Sequence, residues 1–162
     1  MKIKEINRMV VKIGSSLLID KNKGVNNNFL SNISEDILAL KKRGIETLVV
    51  SSGAIELGKI ELNQTKEKFN LAESQAASSI GQIKLINSWK ESLGKFDLNT
   101  AQILITAEDT ENRKRFLNAR STIEELLREK YIPIINENDT VATSEIRYGD
   151  NDRLAARIAG MV

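Results

Sequence analysis

Four short runs of β-branched and apolar residues recur along this chain at wide intervals: INRMVVKI (6–13), ETLVV (46–50), AQILIT (101–106) and YIPIIN (131–136). Their shortness and composition predict buried strands. The intervals between them carry a different period. Residues 28–43 repeat Phe29, Ile33, Ile37 and Leu40 at every third or fourth position, with Gly44 where a helix cap belongs. Residues 71–93 predict a long helix with Leu71, Ile80, Ile83 and Leu85 on its apolar side, and the small residues of its AASSIG segment predict close packing against a neighbour. Residues 111–130 predict a third helix through Phe116, Ile123 and Leu127, while Pro133 sits near a strand start, where proline is tolerated. Strands alternating with helices long enough to cross over dictate an α/β fold. The expectation is an open, mainly parallel sheet with helices on both faces.

In such sheets ligands collect beyond the carboxyl ends of the strands. Three polar segments fall there: GSS (14–16), SSGAI (51–55) and NEND (136–139). The last opens NENDTVATSEIRYGDND (136–152), which packs five acids and three asparagines into seventeen residues. The chain has no histidine and no cysteine, which excludes disulfides, thiol catalysis and the usual general base. An enzyme of this composition must work with lysine, carboxylates and backbone amides. Aromatics at 4% and a net charge of +2 argue against a nucleic-acid partner. No apolar run approaches ~18 residues, so a membrane partner is not expected and a cytoplasmic location is.

Lys12 stands near the end of the first strand, in VVKIGSS. A lysine in an apolar run is costly unless its ammonium escapes to water or meets an anion, and the amides of a Gly-Ser-Ser turn can cradle a phosphate. Both readings, a solvated edge lysine and a phosphate contact, stand on composition alone. GAIELGK (53–59) has the spacing of a phosphate-binding loop, but Ile60 follows where a magnesium-binding Ser or Thr is required. It is a coincidental match, and Lys59 reads as a solvated helix residue. No two glycines are spaced G-x-G, so the dinucleotide fingerprint is absent. Ser51-Ser52-Gly53 opens a helix, as either an ordinary N-cap or an anion site. Asparagines donate and accept while aspartates only accept, a mixture suited to a zwitterion, or simply to a polar loop. The calcium-loop spacing is not present.

Taken in order, VVKIGSS, VSSGAIELG, QAASSIGQIKLI, FLNARSTIEELL, IPIINENDTVAT and YGDNDRLAARIAG resemble the amino-terminal half of the glutamate 5-kinases, a branch of the amino acid kinase family. The resemblance runs over nearly the whole chain, and INENDTVAT and GDND are its most diagnostic pieces. It implies ATP-dependent phosphorylation of the L-glutamate side-chain carboxylate to L-glutamyl 5-phosphate, the first step of proline biosynthesis, with ATP and Mg2+ as cofactors. Carried over motif by motif, Lys12 contacts the ATP phosphates, helped by the amides of Gly14 and Ser15. Ser52, Gly53, Asp139 and Asn151 bind glutamate, Asn136 supports that pocket, and Asp152 positions Lys12 and a second lysine. Proline as a feedback inhibitor and a homo-oligomeric state are further family expectations, the latter joined to the small-residue face of the 71–93 helix.

The amino-terminal residues 1–162 are thus expected to be the acceptor-binding half of an amino acid kinase domain, with the nucleotide-binding half outside this chain. NDRLAARIAGMV reads as opening turns of a helix with no following strand, in keeping with a fragment that would be inactive alone. The competing readings are a kinase of another acidic acceptor (acetylglutamate, aspartate or carbamate) and a non-catalytic amino-acid-binding module.

Overall fold

The computed structural model of the chain describes residues 6–20, 23–64, 66, 68–142 and 150–162. In chain order its elements begin β1 (Arg8–Ile13), α1 (Ser15–Leu18), β2 (Ile19–Asp20), β3 (Gly24–Val25), α2 (Asn27–Lys42) and β4 (Glu46–Ser51). They continue with α3 (Ala54–Glu61), α4 (Leu71–Gly94), β5 (Thr100–Ile105), α5 (Ala107–Glu111), α6 (Arg113–Arg128), β6 (Ile132–Glu137) and α7 (Asp150–Met161). The four strands expected from sequence form one sheet in the order β1-β4-β6-β5, and every pairing in it is parallel. The β2–β3 hairpin, with Ile19 opposite Val25, was not foreseen; two-residue strands carry no periodic signal.

Because side chains alternate across a strand, β4 feeds two cores. Val49 faces one side with Leu30, Ile37, Leu57, Leu85 and Trp89, from α2, α3 and α4. Leu48 and Val50 face the other with Ile123, Leu127, Leu154 and Ile158, from α6 and α7. Ile134 and Ile135 of β6 divide in the same way. The sheet is therefore covered on both faces, as the alternation of elements required. Trp89 is fully buried, and its Nε1–H donates to Ser51 Oγ at 3.0 Å, so the ring fills the core without stranding its one donor.

Helix α4 departs from its predicted face. Leu85 is buried, but Ile83 is 65% exposed and Leu71 and Ile80 are 37% exposed. The buried set is Ala77, Ser78, Gly81, Leu85, Trp89, Ser92 and Leu93. The reason is close approach to α3. A Cβ at Gly58 would overlap the carbonyl oxygen of Ala77, and one at Gly81 would overlap that of Ala54. Small residues bring the two backbones together, which places the larger Ile80 and Ile83 outside the contact. The close packing expected of AASSIG is thus realised within the chain, at Ala77 and Gly81 against α3.

The helix expected over 111–130 forms as α6, starting two residues later; Asn112 ends the short α5 before it and caps α6 by accepting from Lys114 N and Arg115 N, both at 3.1 Å. Gly44 takes the left-handed conformation expected after a helix, with φ 76°. GAIELGK contributes residues 54–59 to α3 as plain helix, with Lys59 Nζ 4.5 Å from the Phe69 ring centroid, so no phosphate loop forms there. Among the described residues no helix is long and apolar enough to cross a membrane.

Candidate functional site

The carboxyl ends of β1, β4 and β6 open toward one edge, and the first turn of α7 meets them there. Lys12 is the next-to-last residue of β1. Two residues earlier Val10 packs against the α6–α7 core, so strand alternation turns Lys12 to that same side. Its Nζ lies 2.7 Å from Asp152 Oδ1, with the two side chains 32% and 65% exposed. An ion pair this accessible adds about 0–1 kcal/mol to stability. Its value is positional: the carboxylate holds the ammonium at the end of the sheet. A Cβ at Gly14 would sit 3.4 Å from that Nζ, so the glycine keeps the space beside the ammonium free. Gly14 then leads into α1, where the amides of Ser15 and Ser16 open a helical turn; first-turn N–H groups have no intrahelical acceptor.

One residue before Asp152, Asn151 links the other strand ends. Its Nδ2 donates to Ser52 Oγ at 2.7 Å and to Asn136 Oδ1 at 3.3 Å. Ser52 N continues the ladder by donating to Ile13 O at 3.1 Å. Gly53 follows with φ 111°, a left-handed conformation that demands glycine before α3 begins. Asn136, at the end of β6, is 3% exposed. Its Nδ2 donates to Gln82 Oε1 at 2.8 Å, and its Oδ1 also accepts from Glu137 N at 2.9 Å. Asn151 Oδ1 is buried and has no hydrogen-bond partner among the described residues.

Asp139 is brought to the same edge but to a different neighbour. It is 7% exposed, and its Oδ2 accepts from Ser78 Oγ of α4 at 2.5 Å, a short charge-assisted bond. A cleft of about 290 Å³ runs beside it, lined by Ser78, Gln82, Asn138, Asp139, Ile83 and Leu104 among others. Lys12, Ser52 and Asn151 do not line this cleft; Gln82 and Asn136 join the two parts. The stretch 143–149 of the acid-and-amide segment lies outside the described residues.

Sequence reasoning overlooked Ser78 and Gln82. They stand four residues apart on one face of α4, each holding a residue of the β6 end; a polar pair at that spacing beside Gly81 was the available signal. The carboxyls of Glu73 and Asp109, both in helix caps, are held below the usual range. At Glu73 the Lys66 hydrogen bond and the Asn70 amide lower the value. At Asp109 burial pushes upward, but bonds from the Thr106 amide and hydroxyl and from Arg115 together outweigh it.

A model of the amino acid kinase family matches residues 7–162. The glutamate 5-kinases of Brucella ovis and Brucella canis are each 55% identical to the chain over 161 residues, covering 99% of it and 43% of their own length. The chain therefore spans less than half of these curated relatives. Among solved structures, UMP kinase from Ureaplasma parvum superposes with a TM-score of 0.60 at 16% identity, covering 97% of this chain and 64% of that one. Giardia carbamate kinase does so with 0.62 at 10% identity, covering 95% and 72%. At such identities the likeness is one of fold.

Proposed function

The chain belongs to the amino acid kinase family, and on that premise we propose that it is the acceptor-binding half of an ATP-dependent L-glutamate 5-kinase. Similarity to the Brucella glutamate 5-kinases supports the substrate. The observation that carries the reading is the first turn of α7. Asn151 bonds Ser52 at 2.7 Å while the adjacent Asp152 pairs with Lys12 at 2.7 Å, which supports a reading in which one turn ties an amino-acid-directed group to a phosphate-directed one.

The glutamate side-chain carboxylate, with an ordinary pKa of about 4.3, is ionised at neutral pH. It attacks the γ-phosphorus directly, the bond to the β–γ bridging oxygen breaks, and ADP departs with that electron pair. No proton must be removed, which suits a chain without histidine. What the protein supplies is alignment and charge compensation. Lys12, held by Asp152, neutralises the phosphate oxygens, and the amides of Gly14 and Ser15 turn toward them. Ser52, Gly53, Asp139 and Asn151 hold the amino acid, with Asn136 buttressing Asn151.

The donors gathered around Lys12 are cationic or N–H groups, which fit phosphate. No group of three or more carboxylates suited to a metal occurs among the described residues, and Mg2+ enters this reading on the nucleotide phosphates, whose charge it offsets. The product would feed proline biosynthesis in the cytoplasm.

Glutamate-dependent ADP release by the full-length polypeptide tests the reading. Release with L-glutamate and none with acetylglutamate, aspartate or carbamate is the expected outcome. A response to one of those acids instead would reassign the acceptor. Calorimetric binding of glutamate with no response to magnesium–nucleotide would make the chain a binding module.

A further inference from the structure

Resting on that reading of the site, we infer that Gln82 is a positioning residue that holds in place the amide chain contacting the amino acid, and so governs recognition of the substrate's α-ammonium group.

A side-chain amide has a donating and an accepting end, and hydrogen bonds to it are right only in one orientation. The anchor here cannot be reversed: the backbone N–H of Glu137 is a donor, and Asn136 Oδ1 accepts it at 2.9 Å. With its oxygen committed, Asn136 must turn Nδ2 toward α4, where it needs an acceptor. Gln82 Oε1 is that acceptor, at 2.8 Å. The same oxygen of Asn136 faces α7, so Asn151 must present Nδ2 to it, at 3.3 Å. The second hydrogen of that Nδ2 goes to Ser52 Oγ at 2.7 Å. Both donors of Asn151 are then spent, and what remains is Oδ1, buried and without a partner among the described residues. A buried acceptor left unserved is costly. A cationic N–H donor on the bound amino acid removes that cost, and a ligand without one does not.

Gln82 thus acts through Asn136 and Asn151 without touching the reacting atoms. If its acceptor is lost, Asn136 Nδ2 is stranded in a site that is 3% exposed, while the Glu137 N–H still forbids reversal of the amide. The side chain then gains only by shifting its Nδ2 toward another acceptor, which draws Asn136 Oδ1 away from Asn151 Nδ2 and releases the constraint that keeps Asn151 Oδ1 for the ligand. The position of Gln82 is itself stiff, because Gly81 beside it abuts the backbone of α3.

The test compares L-glutamate with glutarate, which has both carboxylates and lacks the amino group. In the full-length polypeptide, Gln82→Met keeps the side-chain length and removes the acceptor, whereas Gln82→Glu keeps an accepting oxygen. The expected result is that Q82M lowers the glutamate-to-glutarate ratio of kcat/KM by roughly tenfold, through the glutamate KM and with the ATP KM unchanged, while Q82E retains the wild-type ratio. A Q82M enzyme that loses both substrates in equal proportion, or keeps the wild-type ratio, overturns the inference and leaves the kinase reading intact. A Q82E enzyme that matches Q82M overturns it too, since the accepting oxygen would then not matter. Wild-type protein inactive toward glutamate would instead overturn the kinase reading on which the inference stands.

Discussion

Helix α4 meets its neighbour through glycines, whereas α7 meets the sheet through aliphatic side chains. At Gly58 and Gly81 the contact is backbone against backbone, with no room for a single added carbon. Along α7 the contact is made by Leu154, Ile158 and Met161, which interdigitate with Leu48, Val50 and Ile135. Both helices deliver groups to the same edge of the sheet. The former brings Ser78 and Gln82, which hold Asp139 and Asn136; the latter brings Asn151 and Asp152, which hold Ser52 and Lys12. The contrast separates two tasks. A clamp without slack suits residues that orient other residues, while a packed aliphatic face suits an element carrying the groups proposed to meet the substrates.

The largest expected effect lies at the clamp. Gly81→Val drives two methyl groups and a Cβ against the α3 backbone, which cannot give way as a side chain can. It should cost about 3 kcal/mol, the upper end for overpacking, and lower Tm by roughly 6–12 °C in a chain of this size. Circular dichroism melts measure this directly, and a wild-type melt would show that the two backbones have slack after all. On the other side, Ile158→Val removes one methylene from a fully buried residue and should cost about 1 kcal/mol, with turnover unaltered. A loss as large as that of the glycine variant would erase the distinction between the two layers.

The same contrast explains what could be read without coordinates. The strands were legible because β-branched residues crowd short runs, and both flanking cores follow from their alternation. Lys12, Ser52, Asn136, Asn151 and Asp152 stood out as polar groups placed at strand ends or in a dense acidic segment, and they do converge. Helix α4 was harder. Ile80 and Ile83 look like core residues by hydrophobicity, yet the contact is decided by how closely two helix axes approach, which favours Ala77, Ser78 and Gly81. Gln82 and Ser78 resemble any polar residues of a solvated helix, because their partners lie more than fifty residues away in the chain. The short helix α5 was hidden for a related reason, since AEDTE carries no large apolar side chain to mark a buried face.

The central claim is that one turn of α7 holds a phosphate-directed lysine and an amino-acid-directed amide in a shared site while keeping their tasks distinct. Lys12→Ala in the full-length polypeptide tests it most directly, with turnover and calorimetric glutamate affinity measured on the same preparation. The expected result is a fall in kcat on the order of 10²–10³, the scale of removing one transition-state donor, with glutamate affinity unchanged. Near-normal turnover, or a loss of glutamate binding as large as the loss of rate, would contradict it.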